Sequence, residues 1–158
     1  MKTTQTDQAA EIDATTDPVF AFFNEIGIIN QLSSALLSST LPDGVHPSHF
    51  SILNHLARMG DGRTPIRIAG AMQVTKNTMT HSLKVLESRG FIEVRANPED
   101  GRGKLVFLTE AGRAFRDRAI ADVVQRFEGL FDENQRADMA ALRPGLVSLR
   151  KHLDANRS

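Results

Sequence analysis

The 158-residue sequence contains no cysteine, which excludes disulfide bonds, thiolate metal sites and any switch based on thiol oxidation. It has no apolar run long enough to span a bilayer. The first 17 residues are polar and lack an apolar run followed by a small-residue cleavage site, so they do not resemble a secretory signal peptide. From the absence of a membrane span and of a signal peptide we expect a cytoplasmic protein with no membrane partner.

The motifs that carry common enzyme chemistry are missing as well. We find no glycine-rich phosphate loop and no nucleophile elbow. His46, His49 and His55 are close in sequence, but Asp43 is the one acidic neighbour that could join them in a zinc site. We therefore predict no enzyme, no cofactor and no metal, and interpret these histidines as cap, surface or pocket residues. A metal site there is the alternative.

Positive charge is concentrated in the middle of a chain whose net charge is zero. Residues 1–50 carry one basic and six acidic residues, whereas residues 63–116 carry ten basic and five acidic residues. A basic segment between acidic or neutral ends is typical of a surface that binds phosphate. A merely solvated surface would have the same charge pattern, so the asymmetry alone leaves both interpretations open.

Apolar spacing and cap residues predict a mainly α-helical chain with a small β wing, after a tail over residues 1–17 that we expect to be disordered. A tight turn joins the third and fourth of six helices, and a hairpin follows the fourth. The helices are predicted at about 18–39, 47–59, 65–72, 75–89, from 109 onwards and from 132 onwards, and the strands at 91–96 and 104–108, with a glycine-rich turn over 97–103 between them.

This order of elements predicts a winged helix-turn-helix over residues 47–112. The remaining segments, residues 18–46 and 113–158, carry apolar helix faces that a winged region of about 65 residues is too small to cover. We assign both segments to a homodimer interface; the alternative is that the helices fold back on their own winged region. The predicted interface residues are Phe20, Phe23, Ile26, Met139, Leu142, Leu146, Leu149 and Leu153.

The fourth helix is the segment most informative about function. One side carries Met79, Leu83 and Leu86, and the other side carries Asn77, Thr80, His81 and Lys84. The second side is polar, partly basic and free of carboxylates, which suits a DNA major groove because bases must be read there beside negative phosphates. An ordinary amphipathic surface helix is the alternative.

The hairpin carries basic residues close to its tip. Asp100, Gly101 and Arg102 occupy the turn, and Lys104 follows shortly after. A basic hairpin beside a recognition helix can reach phosphates or the minor groove. We predict that Asp100 orients Arg102 through a charge-assisted hydrogen bond. A solvated turn without a DNA contact is the alternative.

Three motifs in order resemble the multiple antibiotic resistance regulator (MarR) family. Leu86–Gly90 matches a recognition helix ending in Leu-Glu-x-Arg-Gly, residues 97–102 resemble the wing Asp-Pro-x-Asp-x-Arg, and Leu108–Gly112 matches Leu-Thr-x-x-Gly. The resemblance is close over residues 47–112 and covers the terminal helices by length and position. Asn97 replaces the first wing aspartate and Gly101 stands where a basic residue is frequent, so a more flexible and less positive wing is expected.

The resemblance implies a sequence-specific transcription regulator, a ligand-responsive repressor that binds a pseudo-palindromic operator in double-stranded DNA as a homodimer. The predicted DNA contacts are Thr75, Lys76, Asn77, Thr80, His81, Lys84, Arg95, Arg102 and Lys104. Family members often bind small aromatic or phenolic acids, so Phe22, Phe23, His46 and Phe50 are candidate effector-pocket residues, with plain packing as the alternative. An enzyme and a winged-helix protein-interaction module are the rival interpretations.

Overall fold

A computed structural model describes residues 17–156, except for the side chain of Arg102, so most of the tail predicted over residues 1–17 lies outside the described residues. The described chain has eight elements in order: α1 Pro18–Ser38, α2 Pro47–Met59, α3 Pro65–Met72, α4 Lys76–Ser88, β1 Ile92–Asn97, β2 Asp100–Leu108, α5 Glu110–Glu128 and α6 Glu133–Ala155. The predicted fold class, mainly helical with a small β wing, is confirmed. None of the helices in residues 17–156 combines the length and apolar character needed to cross a membrane.

The described part of the chain divides into two compact units, the first ending at Pro47 and the second beginning at Ser48. The first unit contains α1, whose start is fixed by Asp17: its Oδ1 accepts hydrogen bonds from the backbone nitrogens of Val19, at 2.7 Å, and Phe20, at 3.3 Å. This cap satisfies two of the amide groups that a helix leaves without partners at its start. No residue of α1 is buried, although the helix is rich in apolar side chains.

The core of the second unit is built from short apolar stripes on α2, α3 and α4 and from the hairpin. Burying one large aliphatic side chain stabilises the folded state by roughly 1.5–3 kcal/mol, so the buried side chains of this core are the main source of the unit's stability. Its largest fully buried side chains are Ile52, Leu53, Leu56, Ile68, Met79, Leu86 and Val106.

Threonine residues cap the starts of α3 and α4, the two helices of the helix-turn-helix, as the sequence predicts. The Thr64 side chain accepts from the Arg67 nitrogen at 3.4 Å, and the Thr75 side chain accepts from the Thr78 nitrogen at 3.2 Å. Between the helices, Gln73 adopts a left-handed conformation with φ of 54°. Its side-chain Nε2 donates to the Gly70 carbonyl at 2.8 Å, which stabilises a backbone conformation that a non-glycine residue rarely adopts.

The hairpin corrects the predicted turn. Residues 97–103 are not one long loop: Asn97 pairs with Asp100 across a two-residue turn, and β2 already begins at Asp100. The Asn97 Oδ1 accepts a hydrogen bond from the Glu99 nitrogen at 3.1 Å. This local bond stabilises the tight turn relative to an open loop. The register then jumps to Ala96 opposite Lys104, so residues 101–103 form a bulge in β2.

A single-residue bridge, not predicted from the sequence, extends this sheet on the other side of β2. The Val106 nitrogen donates to the Arg63 carbonyl at 2.9 Å, and the Gly62 nitrogen donates to the Val106 carbonyl at 3.0 Å. Arg63 thereby forms an isolated antiparallel bridge with Val106. The loop after α2 is thus fixed to the base of the hairpin, which positions α3 and α4 relative to the wing.

The junction between the hairpin and α5 explains the Leu-Thr-x-x-Gly motif. Thr109 caps α5 by accepting from the Gly112 nitrogen at 3.0 Å, and its hydroxyl donates to the Gly90 carbonyl at 2.6 Å. Gly112 lies directly against the backbone of Phe91, where a Cβ would fall 2.0 Å from the carbonyl oxygen. The rings of Phe91 and Phe115 stack with centroids 4.3 Å apart.

The last helix begins at the predicted capping box, in which Asp132 and Gln135 each accept from the other's backbone nitrogen, at 2.8 and 3.0 Å. Arg136 in its first turn donates to the carbonyls of Phe127, Glu128 and Phe131 at 2.9–3.4 Å, which fixes the connection to α5. No residue of α6 is buried. The apolar face of α6 is therefore left uncovered in the single chain, and the assignment of this helix to a dimer interface stays a prediction.

Candidate nucleic-acid interface

The two sides of α4 separate as the sequence predicts. Met79, Ser82, Leu83 and Leu86 are buried, which anchors the helix in the core. The opposite side is exposed and consists of Lys76, Asn77, Thr80, His81 and Lys84. From Lys76 to Lys84 this side carries amide, imidazole, hydroxyl and ammonium groups and no carboxylate, so it offers both donors and acceptors. Glu87, three residues after Lys84, adds one exposed carboxylate at the end of the same side.

Hydroxyl groups at the start of α4 are held by its own backbone. Thr75 acts as the helix cap, and its Oγ1 lies 2.9 Å from the Thr78 Oγ1. The Thr80 Oγ1 donates to the Lys76 carbonyl at 2.9 Å. These bonds restrict the rotamers of Thr75 and Thr80, so the longer side chains of the predicted set have more freedom to reach base edges.

The two faces of the wing differ in character. Side chains of successive strand residues point to opposite sides, and cross-strand partners point to the same side. Lys104, opposite Ala96, lies beside a groove of about 250 Å³ between the end of α4 and the hairpin. The groove is lined by Glu87, Val94, Arg95, Ala96, Gly101, Gly103 and Lys104. Lys104 is thus a basic group next to the end of α4.

Arg95 also lines this groove, but its guanidinium is engaged with Glu93 and Phe107, which alternate with the Val94 and Ala96 side of the hairpin. Its Nη2 is 2.7 Å from the Glu93 Oε2, and its guanidinium carbon is 4.5 Å from the centre of the Phe107 ring. The hydrogen bond between the two side chains lowers the pKa of Glu93 and raises the pKa of Arg95. The sequence places Arg95 among the DNA contacts, but it gives no sign of this pairing.

The predicted pair at the wing tip is only partly described. The side chain of Arg102 lies outside the described residues, and its backbone is the middle of the bulge between two glycines. A Cβ at Gly103 would lie 3.1–3.2 Å from atoms of Asp100 and Asn97, so the bulge is compact at that position. The orienting role of Asp100 stays a prediction.

The residues predicted to line an effector pocket have mixed exposure. Phe22 and Phe23 on α1 are exposed, and their rings meet edge to face with centroids 5.7 Å apart. His46 is exposed, and Phe50 on α2 is half-buried. The pocket itself stays a prediction. Within residues 17–156, no three histidine, aspartate or glutamate side chains are grouped so that they could hold a metal ion.

The predicted dimer residues are accessible in the single chain. Phe20 and Phe23 on α1 are 54% and 40% exposed, and Ile26 is half-buried. On α6, Leu149 is half-buried. The other α6 residues of the seam are exposed, at 46% for Met139, 63% for Leu142, 44% for Leu146 and 49% for Leu153. Each helix therefore presents an uncovered apolar face.

Asp61 is a positioning residue that the sequence analysis missed. Its Oδ1 accepts from the Leu108 nitrogen at 2.9 Å, and its Oδ2 is 2.6 Å from Nη2 of Arg113 on α5. It links the loop after α2 to the end of β2 and to α5. Its position between Gly60 and Gly62 indicated only a loop, because the partners are 47 and 52 residues away.

Comparison with known proteins points to one family. A family model described as MarR family matches residues 43–103. The multiple antibiotic resistance protein MarR of Escherichia coli (strain K12) is 30% identical over 117 residues, which cover 73% of this chain and 81% of that protein.

Two solved structures share the fold. A mutant of E. coli MarR complexed with operator DNA has a TM-score of 0.60 at 24% identity, over 81% of this chain and 94% of that one. Bordetella bronchiseptica BpsR, whose DNA binding is regulated by 6-hydroxynicotinic acid, has a TM-score of 0.61 at 21% identity, over 80% of this chain and 98% of that one.

Proposed function

Because the chain belongs to the MarR family of winged-helix transcription regulators, we propose that it binds operator DNA through α4 and the wing. Two copies would form a homodimer on a pseudo-palindromic site and repress transcription by occupying a promoter. The proposed DNA contacts are Thr75, Lys76, Asn77, Thr80, His81 and Lys84 on or beside α4, with Arg95, Arg102 and Lys104 on the wing.

The observation that carries this proposal is the exposed side of α4, which has no carboxylate from Lys76 to Lys84 and lies opposite four buried residues. Ordinary surface helices usually mix acidic residues into such a face, whereas the one acidic residue of α4 is Glu87, at the groove beside the hairpin. The groove beside Lys104 continues this surface onto the hairpin. The complex of a MarR variant with operator DNA supports the same use of the fold.

The experiment that tests the proposal is selection of bound sequences from random double-stranded DNA by the full chain. We expect an enriched site with two inverted half-sites whose centres are about 10 base pairs apart, because a two-fold dimer presents two recognition helices to successive major grooves. Absence of any enriched sequence, together with weak binding at low salt, would favour a winged-helix protein-interaction module.

The first prediction concerns base readout by α4. Replacing Asn77 or His81 with alanine should relax base preference within each half-site, at a cost of roughly 1–3 kcal/mol for a good base contact. Competition between the selected operator and single-base variants measures this effect. Gln125→Ala, which removes an exposed amide from α5, is the matched control and should leave the preference unchanged. Unaltered preference in both α4 variants would contradict the assignment of this side.

The second prediction concerns charge on the wing. Lys104→Gln should weaken binding to all sequences about equally and reduce the slope of log affinity against log salt by about 0.9, as expected for one lost phosphate contact. Lys151→Gln removes the same charge from an exposed site on α6 and should have a much smaller effect. Titrations of operator and random duplex across a salt series measure both. Equal slopes for the two variants would exclude a phosphate contact by Lys104.

We also propose that a small aromatic or phenolic ligand regulates DNA binding. The regulation of BpsR by 6-hydroxynicotinic acid supports this type of ligand, and the exposed aromatic pair Phe22 and Phe23 could stack on such a ring. Release would follow if the ligand favours a dimer whose recognition helices are wrongly spaced for the operator. A panel of aromatic acids, tested for release of operator DNA by the wild type and by Phe23→Ala, measures this response.

A further inference from the structure

The outer face of the wing carries an ion pair built on an aromatic ring. Glu93 and Arg95 are two residues apart on β1, so their side chains share one face of the strand, and Phe107 is the cross-strand partner of Glu93. The two charged groups are 2.7 Å apart and a little more than half exposed, at 53% for Glu93 and 56% for Arg95. Water and ions therefore reach both groups.

The ring of Phe107 fixes where the ion pair between Glu93 and Arg95 lies on the hairpin. Gly62, in a left-handed conformation with φ of +75°, lies next to the ring, where a Cβ would come 3.6 Å from the nearest ring carbon. The guanidinium of Arg95 lies over the ring, with its carbon 4.5 Å from the ring centre. The arginine is thus held by the ring and by the carboxylate together.

We propose that Glu93 is a positioning residue that competes with DNA phosphate for Arg95 and so lowers the affinity of the wing for DNA of any sequence. A carboxylate and a phosphate offer the same bidentate acceptor geometry to a guanidinium, so one can replace the other. This inference rests on the proposed DNA binding by the wing. Phosphate contacts carry no sequence information. Competition by Glu93 therefore lowers the part of the DNA affinity that is independent of sequence.

The pair can act in this way because it is exposed. An exposed ion pair has a small net free energy, so a nearby phosphate can displace Glu93 without unfolding the hairpin. The displaced carboxylate would still repel the phosphate backbone and oppose the contact. Removing that charge should release Arg95 and remove the repulsion together.

The test is the binding of Glu93→Gln to the selected operator and to random duplex DNA over a salt series. We expect the affinity for both DNAs to rise about threefold to fivefold. The salt slope should steepen by up to about 0.9, the full value applying where Glu93 holds Arg95 away from phosphate in the wild-type complex. The ratio of specific to non-specific affinity should stay constant or fall.

Two controls separate release of Arg95 from simple removal of negative charge. Glu99→Gln removes an exposed carboxylate from the turn of the same hairpin and should give a smaller rise in affinity and no steeper slope. In an Arg95→Gln background, Glu93→Gln should have no more effect than Glu99→Gln. Both results are needed to support the inference.

Other outcomes overturn the inference in distinguishable ways. If Glu93→Gln and Glu99→Gln act alike, or if Glu93→Gln has the same effect without Arg95, only general repulsion operates. If Glu93→Gln weakens DNA binding, the ion pair supports binding by stiffening the wing, and Glu93 does not compete with phosphate for Arg95. A wild-type chain that binds no DNA would overturn the proposed function, and this inference with it.

Discussion

Gly112→Ala should destabilise the second unit by about 3 kcal/mol or more, which corresponds to a fall in melting temperature on the order of 10 °C. A Cβ at this position would lie 2.0 Å from the Phe91 carbonyl oxygen and 2.9 Å from the Leu108 side chain. The nearest atom belongs to the backbone, so no rotamer change can relieve the clash. The start of α5 would have to move away from the hairpin.

The matched control is Gly70→Ala in α3. Gly70 is also helical, but no atom lies within 4 Å of a Cβ built there. Alanine should therefore stabilise the chain by about 0.4–1 kcal/mol, through its better helix propensity and a less flexible unfolded state. Urea and thermal unfolding followed by circular dichroism measure both variants. Similar changes in stability for Gly70→Ala and Gly112→Ala would contradict the close packing at Gly112.

Short local motifs predicted where the helices of the winged region begin. Thr64, Thr75 and Thr109 act as caps in the structure because each hydroxyl accepts from a backbone nitrogen three residues ahead. Such bonds depend only on neighbouring residues, so the sequence carries the whole signal. The buried stripe on α4 is equally local, since it repeats with the helical period.

The features that the sequence did not predict depend on distant partners or on small energy differences. Asp61 and the bridge at Arg63 involve partners more than 40 residues away. The turn at residues 97–103 could form a long loop or a short turn with a bulge, and a single bond from Asn97 favours the second. Arg95 was predicted from its charge alone, whereas its position is set by Glu93 and Phe107.

The apolar face of α6 is the strongest indication of a second copy of the chain. Soluble monomers rarely expose large contiguous apolar patches, and this helix has no buried residue. Met139, Leu142, Leu146, Leu149 and Leu153 follow steps of three and four, which is the spacing of a seam between helices. The same argument applies separately to α1, whose aromatic residues are also uncovered. A two-fold interface would cover each face with residues of the partner.

Leu146→Glu should therefore raise the dissociation constant of the dimer by at least about 100-fold, because a carboxylate buried in an apolar seam without a partner costs several kcal/mol. Leu146 is 44% exposed in the single chain, so the substitution should leave the fold of the second unit intact. Sedimentation velocity across a concentration series measures the dimer, and circular dichroism checks the fold. Binding of the full operator should weaken in parallel, since each half-site alone engages one recognition helix.

The matched control for this substitution is Ala140→Glu, which adds the same charge to an exposed position about 150° around α6 from the seam, at roughly 100° per residue. Glutamate is a good helix former, so this variant should sediment and bind operator like the wild type. Dissociation by Ala140→Glu as readily as by Leu146→Glu would mean that the charge itself, and not its place in the seam, disrupts assembly. A wild-type chain that sediments as a monomer at micromolar concentration, yet binds a full palindromic operator tightly, would contradict the proposed dimer altogether.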